Sequence, residues 1–302
     1  MKLRNEQAVG GIVPPLMTPL LDNETLDEVG LVKLIHYNLD NGVHGIFTAG
    51  TSGEGVMVSR KVWKRLNEIV LQEVGDRVPV YCGAIDCGTS RVIENIKELE
   101  QLGAKIVYST PHFYMNTSCQ QEIVRHYEVL DRATDLDIMV YGHTTATGVD
   151  ISTEAIVEIA KLDSVVAFKD TRPDWGTHLL NLIALENSGV TVFGGGEEMF
   201  VASLLLGSHG NISGMTNIFP KLFVDIYNAS KGGDVAKAYE LQKDLLEIKK
   251  HIGGPTWLTG MKYIAKKMNL FASERTSSPI EPLSNEDRRR LDALVERYVV
   301  VT

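Results

Sequence analysis

Residues 78–103, VPVYCGAIDCGTSRVIENIKELEQLG, hold one complete strand-and-helix unit. Val78, Val80, Tyr81 and Cys82 belong to a short, mostly apolar run of the kind that forms a strand buried on both faces. A polar turn follows. Val92, Ile93, Ile96, Leu99 and Leu102 then recur at helical spacing as one apolar stripe, and Gly103 ends it.

The same unit repeats in both directions. Strands are expected to begin near Gly11 (GIVPPLMTPL), Gly42 (GVHGIFTAG), Val78, Ala104 (AKIVYSTP), Leu136 (LDIMVYG), Val165 (VVAFKD), Val190 (VTVFGGG) and Gly210 (GNISG). Successive starts lie 20 to 36 residues apart, room for a strand and a crossover helix. Helices are expected from a capping box at Thr25–Glu28 through Leu39, over Glu154–Leu162 and over Glu197–Leu206. Eight unbroken units with parallel strands predict an α/β fold, a (β/α)8 TIM barrel. An open doubly wound sheet is disfavoured, since the first strand ends in Pro19 and no G-x-G-x-x-G follows. After the eighth strand the pattern is helical only: 220–230, 235–252, 256–268, and 286–298 opened by Ser284-Asn-Glu-Asp287. This predicts a barrel over residues 1–225 and a C-terminal helical extension over 226–302.

Composition narrows the function classes. Among 302 residues, 30 Lys and Arg face 39 Asp and Glu, a net charge of -9 with the signs interspersed. That argues against nucleic-acid or anionic-membrane binding. No run approaches the roughly 18 apolar residues of a membrane span, and Glu6, two glycines and Pro14-Pro15 interrupt any leader-like segment. Cys82, Cys87 and Cys119, an odd set without metal-ligand spacing, point to a reducing, cytoplasmic setting and to no metal site.

In such a barrel the chemistry lies where the strands end. Lys169 ends an apolar strand, where burial favours the neutral amine that adds to a ketone and forms an imine. A lysine reaching to solvent or paired with Asp170 fits that position equally. Tyr141 ends the neighbouring strand and offers a phenol for proton transfer, although a buried tyrosine bonded to a carbonyl is commoner. Gly50-Thr51-Ser52-Gly53 supplies backbone N–H groups and two hydroxyls suited to a carboxylate, and also reads as a plain polar turn. Gly194-Gly195-Gly196 reads as a tight strand-to-helix turn. Glu197 and Glu198 read as surface acids at a helix start.

Taken together, GTSGE after strand two, tyrosine after strand five, FKD after strand six and the closing PIEPLSNEDRRRL resemble the dihydrodipicolinate synthase and N-acetylneuraminate lyase family from about Gly10 to Tyr298. The resemblance implies a homotetrameric class I aldolase-type lyase that needs no cofactor or metal. Lys169 would be the imine lysine and Tyr141 the proton-transfer tyrosine. Thr51 and Ser52 would bind the keto-acid carboxylate, with either also available to relay protons, and Ile212 would line the pocket. Thr171 and the Glu197-Glu198 pair match the lyase branch. The departures are Ala146, where synthases carry an arginine for aspartate semialdehyde, Phe113 in the slot of a relay tyrosine lent by a neighbouring subunit, with Tyr114 beside it, and Gly214 in place of a serine. His112 and His143 are placed in loops near the mouth, with no catalytic task.

The expected function is a Schiff-base-forming aldolase or dehydratase acting on pyruvate, a 2-keto-3-deoxy sugar acid or a related hydroxylated 2-keto acid. The alternatives are 4-hydroxy-tetrahydrodipicolinate synthase and a catalytically idle pyruvate-binding member of the family.

Overall fold

The computed structural model describes residues 10–115 and 117–299. Eight strands, β1 (Gly11–Ile12), β2 (Ile46–Thr48), β3 (Val80–Gly83), β4 (Ile106–Ser109), β5 (Asp137–His143), β6 (Val165–Thr171), β7 (Thr191–Gly194) and β8 (Gly210–Asn211), pair in parallel in the order β1-β8-β7-β6-β5-β4-β3-β2. Around them lie α1 (Glu28–Asp40), α2 (Arg60–Val74), α3 (Thr89–Gln101), α4 (Gln120–Ala133), α5 (Thr144–Thr147), α6 (Thr153–Ile159), α7 (Trp175–Leu185), α8 (Phe200–Leu205) and α9 (Pro220–Lys231). The chain then continues through α10 (Val235–Ile252), α11 (Trp257–Lys267) and α12 (Asn285–Tyr298).

The sheet closes on itself between β1 and β2. Pro14 and Pro15 have no N–H to give a ladder, so β1 is shorter than GIVPPLMTPL suggests. The seam is held by a lone parallel bridge, Pro15 to Phe47. His44 N–H donates to Ile12 O (2.8 Å), Phe47 N–H to Pro14 O (3.0 Å) and Leu16 N–H to Phe47 O (2.8 Å).

Alternation along the strands creates two cores. Val13, Phe47, Tyr81, Tyr108, Met139, Tyr141 and Phe193 fill the barrel interior, while Ile12, Ile46, Cys82, Val107 and Val140 face the helices. Strand β6 breaks the alternation once. Ile138 pairs with Val165 and Met139 with Ala167, so Val166 is an extra residue, a β-bulge. Val166 and Ala167 both point inward and Phe168 outward. The bulge therefore shifts the phase by one residue, which directs Lys169 inward and Asp170 toward the helices.

Two expected features differ. The first helix is capped by Asp27, whose carboxylate accepts from Gly30 N–H at 2.9 Å and from Ala272 N–H at 2.9 Å, while Thr25 bonds Asn23. A carboxylate that also ties down the C-terminal segment displaces the threonine expected as the cap. The helix expected from Glu197 starts at Phe200, because Glu197 turns inward. The Ser284–Asp287 capping box opens α12 as the sequence indicates. The expected division at residues 225/226 falls inside α9, which packs on β1 and α8 of the barrel and also on α10.

Candidate active site

A cavity of about 330 Å³ opens at the carboxyl ends of the strands. Its wall includes Thr51, Ser52, Tyr141, Lys169, Thr171, Glu197 and Ile212, so these seven residues singled out from the sequence line one space. A cleft of about 440 Å³ between Gly75–Val80 and Lys105 lies at the opposite end of the barrel and holds none of them.

Lys169 and Tyr141 are register partners on β6 and β5. The Lys169 Nζ lies 4.0 Å from the centre of the Tyr141 ring and 4.5 Å from that of Phe47. Only 4% of Lys169 is exposed, and burial brings its pKa down to about 7 against an opposing pull from the Glu197 carboxylate. An amine of this kind is neutral in a large fraction of molecules near neutral pH, the state that attacks a carbonyl carbon. Sequence reasoning left open a solvated lysine or a Lys169–Asp170 pair; the structure shows neither, since Asp170 faces the other way.

The Tyr141 ring is fixed by edge contacts with Phe47 and Tyr108, whose own rings stack at 3.8 Å. Its hydroxyl lies 3.4 Å from Thr51 Oγ1. Burial raises the Tyr141 pKa, and the hydroxyls of Thr51 and Thr171 act in the opposite sense. The phenol stays protonated at neutral pH and is placed to hand a proton on and recover it.

The turn carrying Thr51 and Ser52 is a built structure. Ala49 and Glu54 hold positive φ, and a Cβ on Gly55 would come within 1.8 Å of Ala49 O, so only glycine fits there. The Glu54 carboxylate is buried, bonded to Lys262 Nζ of α11 and to Ser277 N–H, and Lys262 also donates to Arg275 O at 2.8 Å. Gly214 is explained by the same packing. A Cβ there would meet Ser52 Oγ at 2.9 Å, so glycine leaves that hydroxyl open to the cavity. The neighbouring Ser213 supplies a hydroxyl instead, donated to Glu197.

The acidic pair is split. Glu197 lines the cavity and is held by Ser213 and, at 2.6 Å, by Lys249 of α10, whereas Glu198 is 60% exposed and bonds the same lysine at 2.5 Å. The surface reading therefore holds for Glu198 and fails for Glu197. His143 is the last residue of β5 and not part of a loop; it lines the cavity, and burial lowers its pKa to about 4. Ala146 sits exposed on α5, outside the cavity wall. Phe113 packs half-buried on the core, while Tyr114 is 90% exposed with φ +80°.

Sequence reasoning missed Lys249, Trp257 and Met261, which close the cavity from α10 and α11. They stand on helices beyond the last strand, away from the strand ends. Among the described residues no cluster of three or more His, Cys, Asp or Glu is placed to hold a metal, and no helix is long and apolar enough to cross a membrane.

The dihydrodipicolinate synthetase family model matches residues 8–298. The chain belongs to that family. The family's members are Schiff-base-forming lyases of the class I aldolase type. The chain is 30% identical, over 92% of its length and 93% of the relative's, to a 4-hydroxy-tetrahydrodipicolinate synthase of Phenylobacterium zucineum. Dihydrodipicolinate synthase from Bacteroides thetaiotaomicron superposes with a TM-score of 0.90 at 29% identity, covering 97% of this chain and 99% of that one. YagE of E. coli K12, a prophage protein of the family solved in complex with pyruvate, gives 0.89 at 25% identity over 95% and 98% of the two chains.

Proposed function

We propose that the cavity binds pyruvate or a related 2-keto acid as an imine on Lys169, and that the enzyme cleaves or forms a carbon–carbon bond of a hydroxylated 2-keto acid. The observation that carries this reading is the Lys169–Tyr141 pair: a buried amine with pKa about 7, 4.0 Å from the ring of a buried phenol, inside a cavity. The neutral amine adds to the keto carbon, and the carbonyl oxygen leaves as water after taking protons by way of Tyr141 and Thr51. The protonated imine then draws in the electron pair of the breaking C3–C4 bond, which becomes the C2=C3 double bond of an enamine on the pyruvate side as the C=N pair moves onto nitrogen. The proton of the substrate's hydroxyl returns through Tyr141 as the aldehyde forms. Thr51 and Ser52, with the backbone of their turn, hold the carboxylate.

Substrate choice follows from what lies at the outer end. Among the described residues no arginine lines the cavity, and the second lysine there, Lys249, is already shared between Glu197 and Glu198. One lysine between two carboxylates leaves a net negative charge, which disfavours an anionic acceptor and suits hydroxyl groups. A 2-keto-3-deoxy sugar acid fits better than aspartate semialdehyde, the second reading, which the name of the Phenylobacterium relative favours.

The proposal includes a homotetramer in a reducing, cytoplasmic setting. Cys82, Cys87 and Cys119 are free thiols. Tyr114 and Met115 are exposed, and in such a tetramer Tyr114 rather than Phe113 would be the residue lent to another subunit. Borohydride reduction with pyruvate followed by peptide mass mapping tests the core of the reading. The expected result is a pyruvate-derived mass on the Lys169 peptide that is lost in Lys169→Ala; labelling of another lysine overturns it.

A further inference from the structure

Next to the proposed nucleophile lies a buried cluster that the reaction does not use. The Asp170 carboxylate, on the outer face of β6, accepts from Arg172 Nε at 2.6 Å, His178 Nδ1 at 3.0 Å and Asn181 Nδ2 at 3.0 Å. An ionised carboxylate only accepts, so His178 carries a hydrogen on Nδ1, while its Nε2 is hydrogen-bonded with the Ser203 hydroxyl at 2.9 Å. Arg172 is itself 4% exposed at its side chain and donates to Ile151 O at 3.2 Å. Burial works against the Asp170 charge, yet these donors hold its carboxyl below the usual range. The cluster therefore joins the end of β6 to α7 and α8 with no member in the cavity wall.

Its position matters because of the bulge at Val166. Bulges bend and twist a strand, and a one-residue slip exchanges its faces. A buried ammonium group gains hydration wherever the strand end lets it move toward water at the cavity mouth. Something must hold the end of β6 in the phase that keeps Lys169 inside.

We propose that Asp170 is the positioning residue for Lys169: pinned outward by Arg172, His178 and Asn181, it fixes the rotation of β6 that keeps the adjacent amine buried in the cavity. This rests on the reading of Lys169 as the imine-forming residue. The groups facing that amine are the Tyr141 and Phe47 rings, the Glu197 carboxylate and His143.

Competitive acetylation of Lys169 across pH, read by peptide mass mapping, reports the amine's titration without any substrate. In Asp170→Ala the midpoint is expected to rise from about 7 by about one unit or more, with trapping of pyruvate at pH 7 slower by about fivefold or more, since a one-unit rise cuts the neutral amine at that pH from about a half to about a tenth. Asp170→Glu is expected to recover part of both. Losing a negative charge without moving Lys169 would shift the midpoint downward, so a fall overturns the proposal. An unchanged midpoint in a folded protein with a lower Tm overturns it too, leaving a merely structural anchor. If Asp170→Ala does not fold, His178→Ala, which removes one donor, is expected to show the same upward shift at smaller size, and its absence counts equally against the proposal. A wild-type protein that acetylates as expected but traps no pyruvate overturns the functional reading and leaves the positioning role standing.

Discussion

Glu54 and Lys262, separated by 208 positions in the chain, form an ion pair with both side chains at 1% exposure or less. Glu54 belongs to the turn that carries Thr51 and Ser52, and Lys262 to a helix beyond the barrel. The C-terminal region is thereby tied to the residues proposed to hold the substrate carboxylate. Removing one partner leaves a buried charge uncompensated, at a cost of about 3–5 kcal/mol. Lys262→Met and Glu54→Gln are each expected to lower stability by about that amount in urea titrations and to raise KM for pyruvate more than they lower kcat. The double variant Glu54→Gln with Lys262→Met should be less destabilised than the sum of the two.

Lys169 gives a pH dependence whose sign can be worked out. The neutral amine is the reactive form, so the rate of trapping pyruvate should rise through pH 7 and level off above it. The folded pKa lies below the ordinary lysine value, so between the two the unfolded chain binds more protons and stability rises with pH. Lys169→Met should therefore abolish trapping yet melt higher than wild type at pH 7, by a few degrees for each ~1 kcal/mol relieved.

Tyr141→Phe keeps the ring that packs against Phe47 and Tyr108 but removes the hydroxyl 3.4 Å from Thr51. Turnover should drop about 10²- to 10⁴-fold with little change in Tm. An unchanged kcat for cleavage would remove Tyr141 from the proton path.

The proposed choice of acceptor rests on the cavity's outer end. A desolvated carboxylate without its cationic partner loses roughly 2–5 kcal/mol, and among the described residues no arginine lines the cavity to prevent that loss. In parallel assays kcat/KM with a neutral sugar-derived aldehyde should exceed that with aspartate semialdehyde by more than about tenfold. Lys249→Met, which leaves Glu197 and Glu198 without their shared cation, should widen the gap.

Acid should destabilise the fold well above the carboxylate range. His126 and His143 are neutral in the folded chain, with burial lowering each pKa from 6.5 to about 4. Between those values the unfolded chain takes up protons that the native state refuses, so stability falls as pH drops. His126→Gln should flatten the slope of urea stability between pH 6.5 and 4 by up to about 1.4 kcal/mol per pH unit.

Much of this was legible in the sequence because it is periodic or local. Strand parity and helix stripes predict the barrel, and residues that end strands are gathered at one rim by the topology, which is how Thr51, Tyr141, Lys169 and Thr171 come together. What was hidden depends on contacts distant in sequence. The inward turn of Glu197 follows from Ser213 and Lys249, and nothing in its own neighbourhood indicates it. The bulge at Val166 leaves no sign in VVAFKD, since any apolar residue fills either face; only the pairing with β5 reveals the extra residue. Gly214 read as a departure from a family pattern and proves to be the space that keeps Ser52 accessible.

The seam between β1 and β2 gives the barrel a direction in which to breathe. Every other pair of neighbouring strands is joined by a ladder, whereas this one rests on a few main-chain bonds around two prolines. Amides at such a join open at lower free energy than those in the laddered core. Hydrogen exchange at Leu16 and Phe47 should accordingly be faster than at Val107 or Met139. Pro15 forms part of the cavity wall and Phe47 lies under the Lys169 amine, so this compliant join lies beside the site where a substrate must enter and leave.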